Sequence, residues 1–450
     1  MTYLYLLCKM KSVLVFGAGR SSLYLLEYLQ KWCITNTAQL IVCDKDISFV
    51  AQHIAEKTAI TFQEIDVFDI EKIAIKIQES ILVISLLPAT IHYHIAKLCL
   101  QYGKNLATAS YISNEMALLN EEAMAKGLIF LNELGLDPGI DHLSAMQIMD
   151  NIKKDGGEIT SFESYCGGLV ADKCDGDNPW KYKFSWNPRN VILAGQGAPA
   201  QYQKNETLKV IPYHQLFNHT DTFQIESYGE LEGYPNRDSL KYIELYKLHH
   251  IKTMIRGTLR KKGYCSAWQV FISLGLTDDT TQLQFKDNAT LQTLLKTYLP
   301  ASNLELKTQI KNYTHCTNTE IEKLAWLGFF SEEKLPLLNG TSAQILEELL
   351  KVKWRLNNDD KDLVVMLHKI GYIKNGQQKT ITSSFVLEGA SNTHTAMSKT
   401  VGLPLAIGCK LILENKVRTR GVLAPLTPEF YEPILAELAV NGVIFTEVES

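Results

Sequence analysis

Short apolar runs alternate with amphipathic stretches along the N-terminal part of the chain. Each apolar run is bounded by turn residues, which predicts buried strands at Ser12–Phe16, Leu40–Cys43, Ile81–Leu86, Leu106–Ala109 and Leu128–Leu131. Apolar residues at helical spacing predict helices between them, at Ser21–Trp32, Asp69–Glu79, Thr90–Tyr102 and Ser113–Lys126. Because strands alternate with helices, we expect an α/β fold with a doubly wound parallel sheet.

The pattern changes after Gly156-Gly157. Ile159–Cys166 alternates like a strand with one exposed face, and long loops rich in Gly, Pro and aromatic residues follow it. Helical spacing then predicts helices at Ser266–Leu274, Ala289–Tyr298, Asn318–Phe330 and Ser342–Trp354. Strands resume at Leu363–His368 and Lys379–Leu387, which flank the hairpin turn Asn375-Gly376. The helices are therefore predicted to be inserted within a second, sheet-containing domain.

The C-terminal segment returns to the α/β pattern. An apolar helix at Leu405–Leu413, a helix that opens at Thr427-Pro428 and a closing strand at Val443–Thr446 are predicted to pack on the first domain. We therefore predict a Rossmann-like domain over 10–138 plus 395–450. A central α/β domain with a mixed sheet over 139–264 plus 360–394 and an inserted helical domain over 265–359 complete the expected architecture.

Composition is ordinary for a globular enzyme, with 46% hydrophobic and 21% charged residues and a net charge of −4. We therefore expect neither nucleic acid nor a membrane as a partner, and we find no apolar run near the length of a membrane span. The nine scattered Cys lack a paired spacing, which predicts reduced thiols, a cytoplasmic location and no metal site. Met1–Cys8 is a poor signal peptide, and Met10 is a candidate start.

A glycine pair lies where the first predicted strand meets the first helix. Gly17 permits a tight turn, and Gly19 allows a pyrophosphate to approach the backbone at the helix N-terminus. Ser22 replaces the third glycine, so the motif is incomplete. Asp44 ends the second strand, where an acid binds the adenosine ribose, and no Arg is next to it in the sequence. We predict NAD, with NADP as a possibility; the alternative is that Asp44 only ends the strand.

The run Asn132–His142 combines acids, glycines and a proline after an apolar segment. Its Asp137-Pro138-Gly139 sequence predicts a tight bend, and Asp141 is predicted to cap a helix over Leu143–Lys154. A bare turn with a helix cap accounts for these residues equally well. With the glycine pair upstream, the lip of a binding site is the favoured interpretation.

Several long motifs of this chain resemble the saccharopine dehydrogenase family of the L-glutamate-forming type, also called saccharopine reductase. They are Val83–Pro88, Ala109–Ile112, Leu136–His142, Ser164–Leu169, Tyr182–Trp186, Tyr234–Ser239 and Arg256–Arg260. The resemblance extends from about Lys11 to the C-terminus, and it implies a Rossmann-like domain, a central mixed-sheet domain and a helical domain. The chain departs from the family at Val170–Cys174, where the family has Pro-Ala-Pro-Glu, which puts the shape of that loop in doubt.

The resemblance implies an oxidoreductase of lysine metabolism. Members oxidise the secondary amine of saccharopine and hydrolyse the imine to L-glutamate and 2-aminoadipate 6-semialdehyde. Fungal members use NADPH and members of animal lysine breakdown prefer NAD, and Asp44 resembles the acidic position of the second group. A segment resembling lysine–ketoglutarate reductase was not recognised, so we expect another polypeptide to supply the preceding step.

The resemblance also implies the site residues. Substrate contacts are expected at Ser110, Tyr111, Asp137, Cys166, Arg237 and Thr258. Cofactor contacts are expected at Gly17, Gly19, Arg20, Ser21, Asp44, Ser85, Leu87, Pro88, Leu136, Asp137, Pro138 and Ser185. Asp137 is the expected catalytic residue, because its carboxylate can hydrogen-bond the amine or iminium and assist water attack.

The substrate is a polycarboxylate, so its site needs cations and hydroxyl donors. The planar guanidinium of Arg237 can hold a carboxylate in a bidentate way, and Thr258 offers a hydroxyl beside Gly257, which would let ligand come close. For Arg237 a structural pair with Asp238 or another acid is the alternative, and for Cys166 an ordinary buried thiol.

Four further side chains have a structural alternative to a role in the site. Arg256 and Arg260 fit a structural role as well as a binding one. His142 is expected to be structural. His92, near His94, has no acidic partner at metal-ligand spacing.

Other activities on the same scaffold remain open at this point. Homospermidine synthases pass an aminobutyl group between polyamines, and their cationic substrates would need acids where the basic residues lie. A carboxynorspermidine-type dehydrogenase, with an amine acceptor in place of glutamate, is another alternative. A sensor that binds NAD without turnover is a further alternative. A homodimer is plausible for the fold class.

Overall fold

The computed structural model describes residues 11–226 and 228–450, so Met10 lies outside the described residues. The chain divides into two compact units. The first unit takes the described residues up to Asn151 together with Thr393–Ile444, and the second takes Ile152–Asn392 together with Phe445–Ser450. The boundaries of three separate domains stay a prediction.

The strands, in chain order, belong to two large sheets and one small one. They are β1 Ser12–Phe16, β2 Gln39–Asp44, β3 Ile60–Glu64, β4 Leu82–Ser85, β5 Asn105–Thr108, β6 Ile129–Leu131, β7 Glu158–Val170, β8 Ala200–Lys204, β9 Thr207–Ile211, β10 Asp221–Ile225, β11 Gly229–Pro235, β12 Thr253–Arg260, β13 Gln282–Gln284, β14 Asn339–Thr341, β15 Asp362–Lys374, β16 Gln377–Glu388, β17 Gly421–Leu423 and β18 Thr446–Glu449.

The helices lie between and after these strands. They are α1 Leu23–Thr35, α2 Ser48–His53, α3 Ile70–Glu79, α4 Ala89–Tyr102, α5 Asn114–Ala117, α6 Asn120–Ala125, α7 Ile140–Lys154, α8 Pro188–Ile192, α9 Lys241–Leu245, α10 Tyr264–Ser273, α11 Leu291–Tyr298, α12 Leu306–Thr314, α13 Asn318–Trp326, α14 Ser342–Lys353, α15 Ala396–Leu413 and α16 Pro428–Val440. Short 3-10 helices cover Arg20–Ser22, Asp172–Cys174 and Tyr213–Asn218.

The first unit holds a parallel sheet of seven strands in the order β17-β6-β5-β4-β1-β2-β3. The chain leaves β3 at one edge and returns to the other side of β1, so the strand order reverses between β1 and β4. In such Rossmann sheets, ligands bind outside the carboxyl ends of the strands at that reversal. The predicted doubly wound α/β fold is confirmed, and β3 with α2 was missed because polar residues interrupt the apolar run at this sheet edge.

The second unit holds a mixed sheet with the main order β10-β11-β12-β7-β15-β16-β18, and β8 and β9 branch from β12. β7 pairs with β12 in parallel, and the other neighbours pair in antiparallel fashion. The predicted hairpin turn lies between β15 and β16, with positive φ at Asn375 and Gly376. The mixed sheet is confirmed, although the sequence assigned much of the region before β12 to loops.

Helices α10, α11, α13 and α14 surround an aromatic core in the second unit. Trp180 stacks on Phe271 at 5.2 Å between ring centroids, and Trp354 packs edge-on against Trp180 at 5.3 Å. Because these rings bury large apolar areas, they stabilise the helical layer. Capping boxes at Thr317 and Thr341 begin α13 and α14.

Two expectations about the C-terminal segment are wrong. The closing strand lies at Thr446–Glu449 rather than Val443–Thr446, and it pairs with β16 of the mixed sheet. The free edge of β16 offers backbone hydrogen bonds to this strand. The second error is the expectation that no apolar run approaches the length of a membrane span. Helix α15 extends over Ala396–Leu413 and is long and apolar enough to cross a membrane, by length and composition alone. Most of α15 is buried inside the fold, where Gly402 lies close enough to α1 that an added Cβ would be 2.9 Å from the Leu25 nitrogen.

Candidate active site

The turn after β1 presents bare backbone at the start of a helix. Gly17 has a φ of +105°, and a Cβ there would lie 3.0 Å from the carbonyl carbon of Leu86. A Cβ on the exposed Gly19 would point into open space. The hydroxyl of Ser22 donates to the Gly19 carbonyl at 2.7 Å, so the residue that replaces the third glycine closes the turn. These features fit the pyrophosphate of a dinucleotide.

Asp44 holds this turn from the end of β2. Its carboxylate Oδ2 accepts a hydrogen bond from the Ala18 N–H at 2.7 Å, and Oδ1 accepts one from the Asp46 N–H at 3.2 Å. A carboxylate has lone pairs beyond these two, so ribose hydroxyls can still bind to it. Asp44 therefore has a structural role in addition to its expected cofactor contact.

Arg20, an expected cofactor contact, extends from the glycine turn to the helix that follows β2. The exposed Arg20 guanidinium lies 5.9 Å from the centroid of the Phe49 ring, in α2 immediately after β2. The absence of an Arg next to Asp44 in the sequence was the basis for preferring NAD. In the fold, Arg20 of the glycine turn contacts Phe49 of the helix after β2, so an Arg does lie close to the end of that strand.

A buried histidine connects the carboxyl ends of β4 and β5. His92 Nδ1 lies 2.9 Å from the hydroxyl of Ser85, and its Nε2 lies 2.8 Å from the hydroxyl of Ser110 and 3.2 Å from that of Thr108. Burial lowers the pKa of His92 to about 4. The structure thus brings an expected cofactor residue, Ser85, and an expected substrate residue, Ser110, to one imidazole.

Sequence reasoning missed His92 because it tested that side chain only as a metal ligand. The available signal was its position in the first turn of α4, directly after β4, beside a neighbouring strand that ends in Thr108. Carboxyl ends of adjacent parallel strands meet at one edge of the sheet. Leu87 is half-buried and Pro88 is exposed at this same edge.

The loop after β6 presents a single carboxylate. Every residue of 131–140 is buried except Asp137, and the Asp137–Pro138 peptide bond is cis. The Tyr111 hydroxyl donates to Asp137 Oδ1 at 2.9 Å. Tyr111 and Asp137, both expected substrate contacts, are therefore adjacent, and the buried Leu136 and Pro138 flank the acid.

The buried side chains of Glu133 and His142 form a pair that holds this loop in place. Glu133 Oε2 lies 2.8 Å from His142 Nε2, while Glu133 Oε1 accepts a hydrogen bond from the Ile112 N–H at 2.9 Å. Glu133 therefore joins the segment that carries Tyr111 to helix α7. His142 has its partner inside the fold, as a structural role requires.

Gly139 makes the bend possible. Its φ is +144°, and an added Cβ would lie 2.0 Å from the Gly135 carbonyl oxygen. Asp141 Oδ1 accepts a hydrogen bond from the Gly139 N–H at 2.5 Å. The prediction that Asp141 caps a helix starting at Leu143 is wrong, because α7 begins at Ile140 and Asp141 lies in its first turn. A carboxylate there still favours the helix N-terminus.

In the second unit, Cys166 and Thr258 are neighbours in register on β7 and β12, and Tyr234 of β11 pairs with Thr258. Side chains at paired positions project from the same face of a sheet. Thr258 is half-buried and Cys166 is buried. Gly257 has a packing reason to be a glycine, since a Cβ there would lie 2.3 Å from the Tyr165 ring, and the close approach of a ligand stays a prediction.

Arg237 is exposed and has a positive φ of 51° just after β11. Within residues 11–226 and 228–450, its guanidinium has no ion-pair partner, and the Asp238 carboxylate accepts from the Leu240 N–H at 2.8 Å instead. The alternative of an Arg237–Asp238 pair is therefore not observed. An unpaired, exposed guanidinium is available to an anionic ligand.

The two basic residues of β12 are buried. The Arg256 guanidinium lies 4.0 Å from the centroid of the Tyr242 ring. The Arg260 guanidinium lies 5.2 Å from the ring centroids of Tyr182 and Tyr264. Cation–π contacts of this kind stabilise a buried cation, so the structural interpretation is favoured for both.

Two observations complete the inventory. Ser185 is buried, and its hydroxyl has no hydrogen-bond partner in the described part of the chain, which suits a ligand contact. Within the described ranges no cluster of three or more His, Cys, Asp or Glu side chains could hold a metal ion.

Comparison with known proteins identifies the family. The family model of the saccharopine dehydrogenase NADP binding domain matches residues 13–131, and that of the saccharopine dehydrogenase C-terminal domain matches residues 135–443. The chain belongs to the saccharopine dehydrogenase family. The predicted resemblance is therefore confirmed.

Individual family members agree with this assignment. The chain is 34% identical over 400 residues to saccharopine dehydrogenase [NADP(+), L-glutamate-forming] of Saccharomyces cerevisiae, covering 86% of this chain and 88% of the relative. It is 34% identical to the mitochondrial alpha-aminoadipic semialdehyde synthase of Mus musculus over 97% of this chain and 47% of the relative. The chain thus spans about half the length of that relative.

A solved structure extends the likeness to three dimensions. Apo histidine-tagged saccharopine dehydrogenase (L-Glu forming) from Saccharomyces cerevisiae matches with a TM-score of 0.87 at 31% identity, covering 98% of this chain and 100% of that chain. The family supports a nicotinamide cofactor for the first unit. The predicted preference for NAD is not supported, because the matching family domain and the yeast relative are both named for NADP.

Proposed function

We propose that this protein is an oxidoreductase of lysine metabolism that interconverts saccharopine with L-glutamate and 2-aminoadipate 6-semialdehyde. The observation that carries the proposal is the hydrogen bond between Tyr111 and Asp137. Asp137 is the one residue of the loop 131–140 that is not buried. The name of the yeast relative supports it. NADP, when bound in the first unit, accepts or returns the hydride of this reaction.

Asp137 handles the proton on the substrate nitrogen. The secondary amine of saccharopine must lose its proton before it can release hydride, and an accessible carboxylate accepts that proton. After Asp137 has passed this proton to solvent, its carboxylate stabilises the iminium charge. The Tyr111 hydroxyl, 2.9 Å from Asp137 Oδ1, holds the acid in one orientation and supplies a hydroxyl for the water that hydrolyses the iminium.

The remaining residues hold the substrate. Arg237 binds one substrate carboxylate through its unpaired guanidinium, and Thr258 and Ser110 donate hydroxyl hydrogen bonds. The cationic polyamines of related scaffolds would be repelled by Arg237, so the charge of this side chain favours an anionic substrate.

An assay with purified protein tests the proposal. We expect the protein to reduce NADP in the presence of saccharopine, followed at the absorbance band of the reduced nicotinamide, and to release glutamate in equal amount. A folded protein that reduces neither NADP nor NAD with saccharopine would overturn the proposal, as would turnover of carboxynorspermidine in its place.

We also propose NADP as the preferred cofactor, with Arg20 binding its 2′-phosphate. The Arg20→Ala substitution should then raise the Kd of NADP by about tenfold, because a charge-assisted hydrogen bond is lost. The Kd of NAD, which lacks that phosphate, should be unchanged. Calorimetric titration of the free protein with both dinucleotides measures the two effects.

The matched control is Lys45→Ala, which removes the cation next to Asp44 in the sequence. Lys45 is exposed, like Arg20. Loss of NADP affinity in the Lys45→Ala variant but not in the Arg20→Ala variant would reject the assignment, and so would tighter binding of NAD than of NADP to the unaltered protein.

A further inference from the structure

We propose that His92 is a positioning residue that orients the hydroxyl groups of Ser85 and Ser110 and so couples the cofactor side of the site to its substrate side. The proposal rests on the proposed function. Ser85 ends β4, Ser110 follows β5, and His92 comes from the first turn of α4 between them in the chain.

The geometry is that of a fixed bridge. β4 and β5 are adjacent parallel strands, with Ser85 paired to Thr108 in register. The imidazole spans them, because its two ring nitrogens lie 2.9 Å from the Ser85 hydroxyl and 2.8 Å from the Ser110 hydroxyl. The Thr108 hydroxyl, 3.2 Å from Nε2, also accepts from the Ser110 N–H at 3.3 Å. Side chain and backbone of Ser110 are therefore both held.

The ring is neutral, since burial lowers the pKa of His92 to about 4. A neutral imidazole has one N–H donor and one acceptor nitrogen, so one serine accepts from it and the other donates to it. The serine that accepts keeps its own O–H free for a ligand. Because Ser110 is assigned to a substrate carboxylate, which needs a donor, the hydrogen lies on Nε2 and the Ser85 hydroxyl donates to Nδ1.

This polarity makes the two hydroxyls interdependent. The Ser110 O–H points to substrate only while Nε2 donates to its oxygen. Ser85 is fully buried, so it acts on the cofactor side through the loop that follows β4, which its hydrogen bond to Nδ1 holds in place. Without the imidazole both hydroxyls would rotate freely, and substrate binding would carry the entropic cost of ordering them.

Two substitutions test the two arms of the bridge separately, the Nδ1–Ser85 hydrogen bond and the Nε2–Ser110 hydrogen bond. The amide of a glutamine side chain reaches the region of Nε2, so His92→Gln retains a donor to Ser110 and loses the partner of Ser85. The shorter asparagine reaches the region of Nδ1, so His92→Asn retains the partner of Ser85 and loses the donor to Ser110.

We expect a crossed result. His92→Asn should raise the KM for saccharopine by about tenfold and leave the Kd of NADP within about twofold of the unaltered protein. His92→Gln should leave the KM for saccharopine within about twofold and raise the Kd of NADP several-fold. The KM comes from steady-state rates with saturating NADP, and the Kd comes from calorimetry on the free protein, which does not depend on turnover.

Ser80→Ala is the matched control. Ser80 lies at the opposite end of β4, is buried, and donates its hydroxyl to the Ile77 carbonyl at 2.9 Å. Its removal should lower the thermal midpoint without changing KM or Kd. A purely structural histidine would make both His92 variants resemble Ser80→Ala, and that result would overturn the proposal, as would parallel changes of KM and Kd in both variants.

A double-mutant cycle keeps the test independent of folding losses. Adding His92→Asn to Ser110→Ala should raise the KM no further than Ser110→Ala alone, since His92 acts on the substrate only through the Ser110 hydroxyl. Full additivity would reject the coupling. The proposed function fails separately: if the unaltered protein does not oxidise saccharopine but His92→Gln still weakens NADP binding, the substrate assignment is wrong and the cofactor arm of the bridge stands.

Discussion

Asp137→Asn is expected to lower kcat for saccharopine oxidation by about a hundredfold, because an amide cannot take the proton that leaves the substrate amine. Asparagine has nearly the shape of aspartate and keeps an oxygen that accepts from the Tyr111 hydroxyl, so folding should be unaffected. The KM should change less than kcat, since Arg237 and Thr258 are assigned to hold the substrate carboxylates.

The chain offers a close control for this substitution. The Tyr431 hydroxyl donates to Asp150 Oδ2 at 2.8 Å, which repeats the Tyr–Asp contact elsewhere in the first unit. Asp150→Asn should leave kcat unchanged. Stopped-flow absorbance under single-turnover conditions separates hydride transfer from product release. Equal hydride-transfer rates in Asp137→Asn and unaltered protein would remove Asp137 from the chemistry.

Gly139→Ala is expected to be the most destabilising of the Gly→Ala substitutions in the first unit. The added Cβ would lie 2.0 Å from the Gly135 carbonyl oxygen, and the φ of +144° is one that L-residues rarely adopt. Because the atoms that the Cβ would meet belong to the Gly135 backbone and cannot rotate away, the bend that carries Asp137 must open. The free energy of unfolding should fall by more than about 3 kcal/mol.

Gly103→Ala separates the clash from the backbone strain. Gly103 ends α4 with a φ of +64°, and a Cβ there would meet nothing within 4 Å. Only the left-handed conformation penalises it, by about 1 kcal/mol. Urea unfolding of both variants gives the comparison, and equal losses would show that the bend relaxes more readily than its geometry implies.

The parallel sheet was predictable because burial there is nearly complete. β1 and β4 are buried at every position, so they appear in the sequence as apolar runs between turn residues. The mixed sheet was harder. β12 contains Arg256, Gly257 and Arg260 at buried positions, and these residue types are typical of loops rather than of central strands.

What permits β12 to form is tertiary. Tyrosine rings lie over both arginines, and the Tyr165 ring occupies the space that a side chain on Gly257 would need. The strand is then held by hydrogen bonds to β7 on one side and β11 on the other. The rings of Tyr165, Tyr182 and Tyr242 belong to other parts of the chain, so the pattern of residues within β12 could not reveal these contacts.

The predicted nicotinamide cofactor is supported, but the preference for NAD over NADP is not, for a related reason. Asp44 was correctly located at the end of β2, but its neighbours were judged along the chain. In the fold the Ala18 N–H binds its carboxylate and Arg20 reaches the Phe49 ring beyond β2. The sequence showed only Lys45 beside the acid, while the cation that we propose for the 2′-phosphate of NADP, Arg20, comes from the glycine turn.

By itself the sequence determined the family, the doubly wound sheet and the glycine turn, and it named the residues expected in the site. It could do so because apolar periodicity and long motifs are local in the chain. Only the tertiary structure decided that β18 joins the mixed sheet, that Tyr111 binds Asp137, that Glu133 pairs with His142 and that His92 joins Ser85 to Ser110. The physical reason is that hydrogen bonds act over about 3 Å between residues whose separation along the chain carries no signal of their contact.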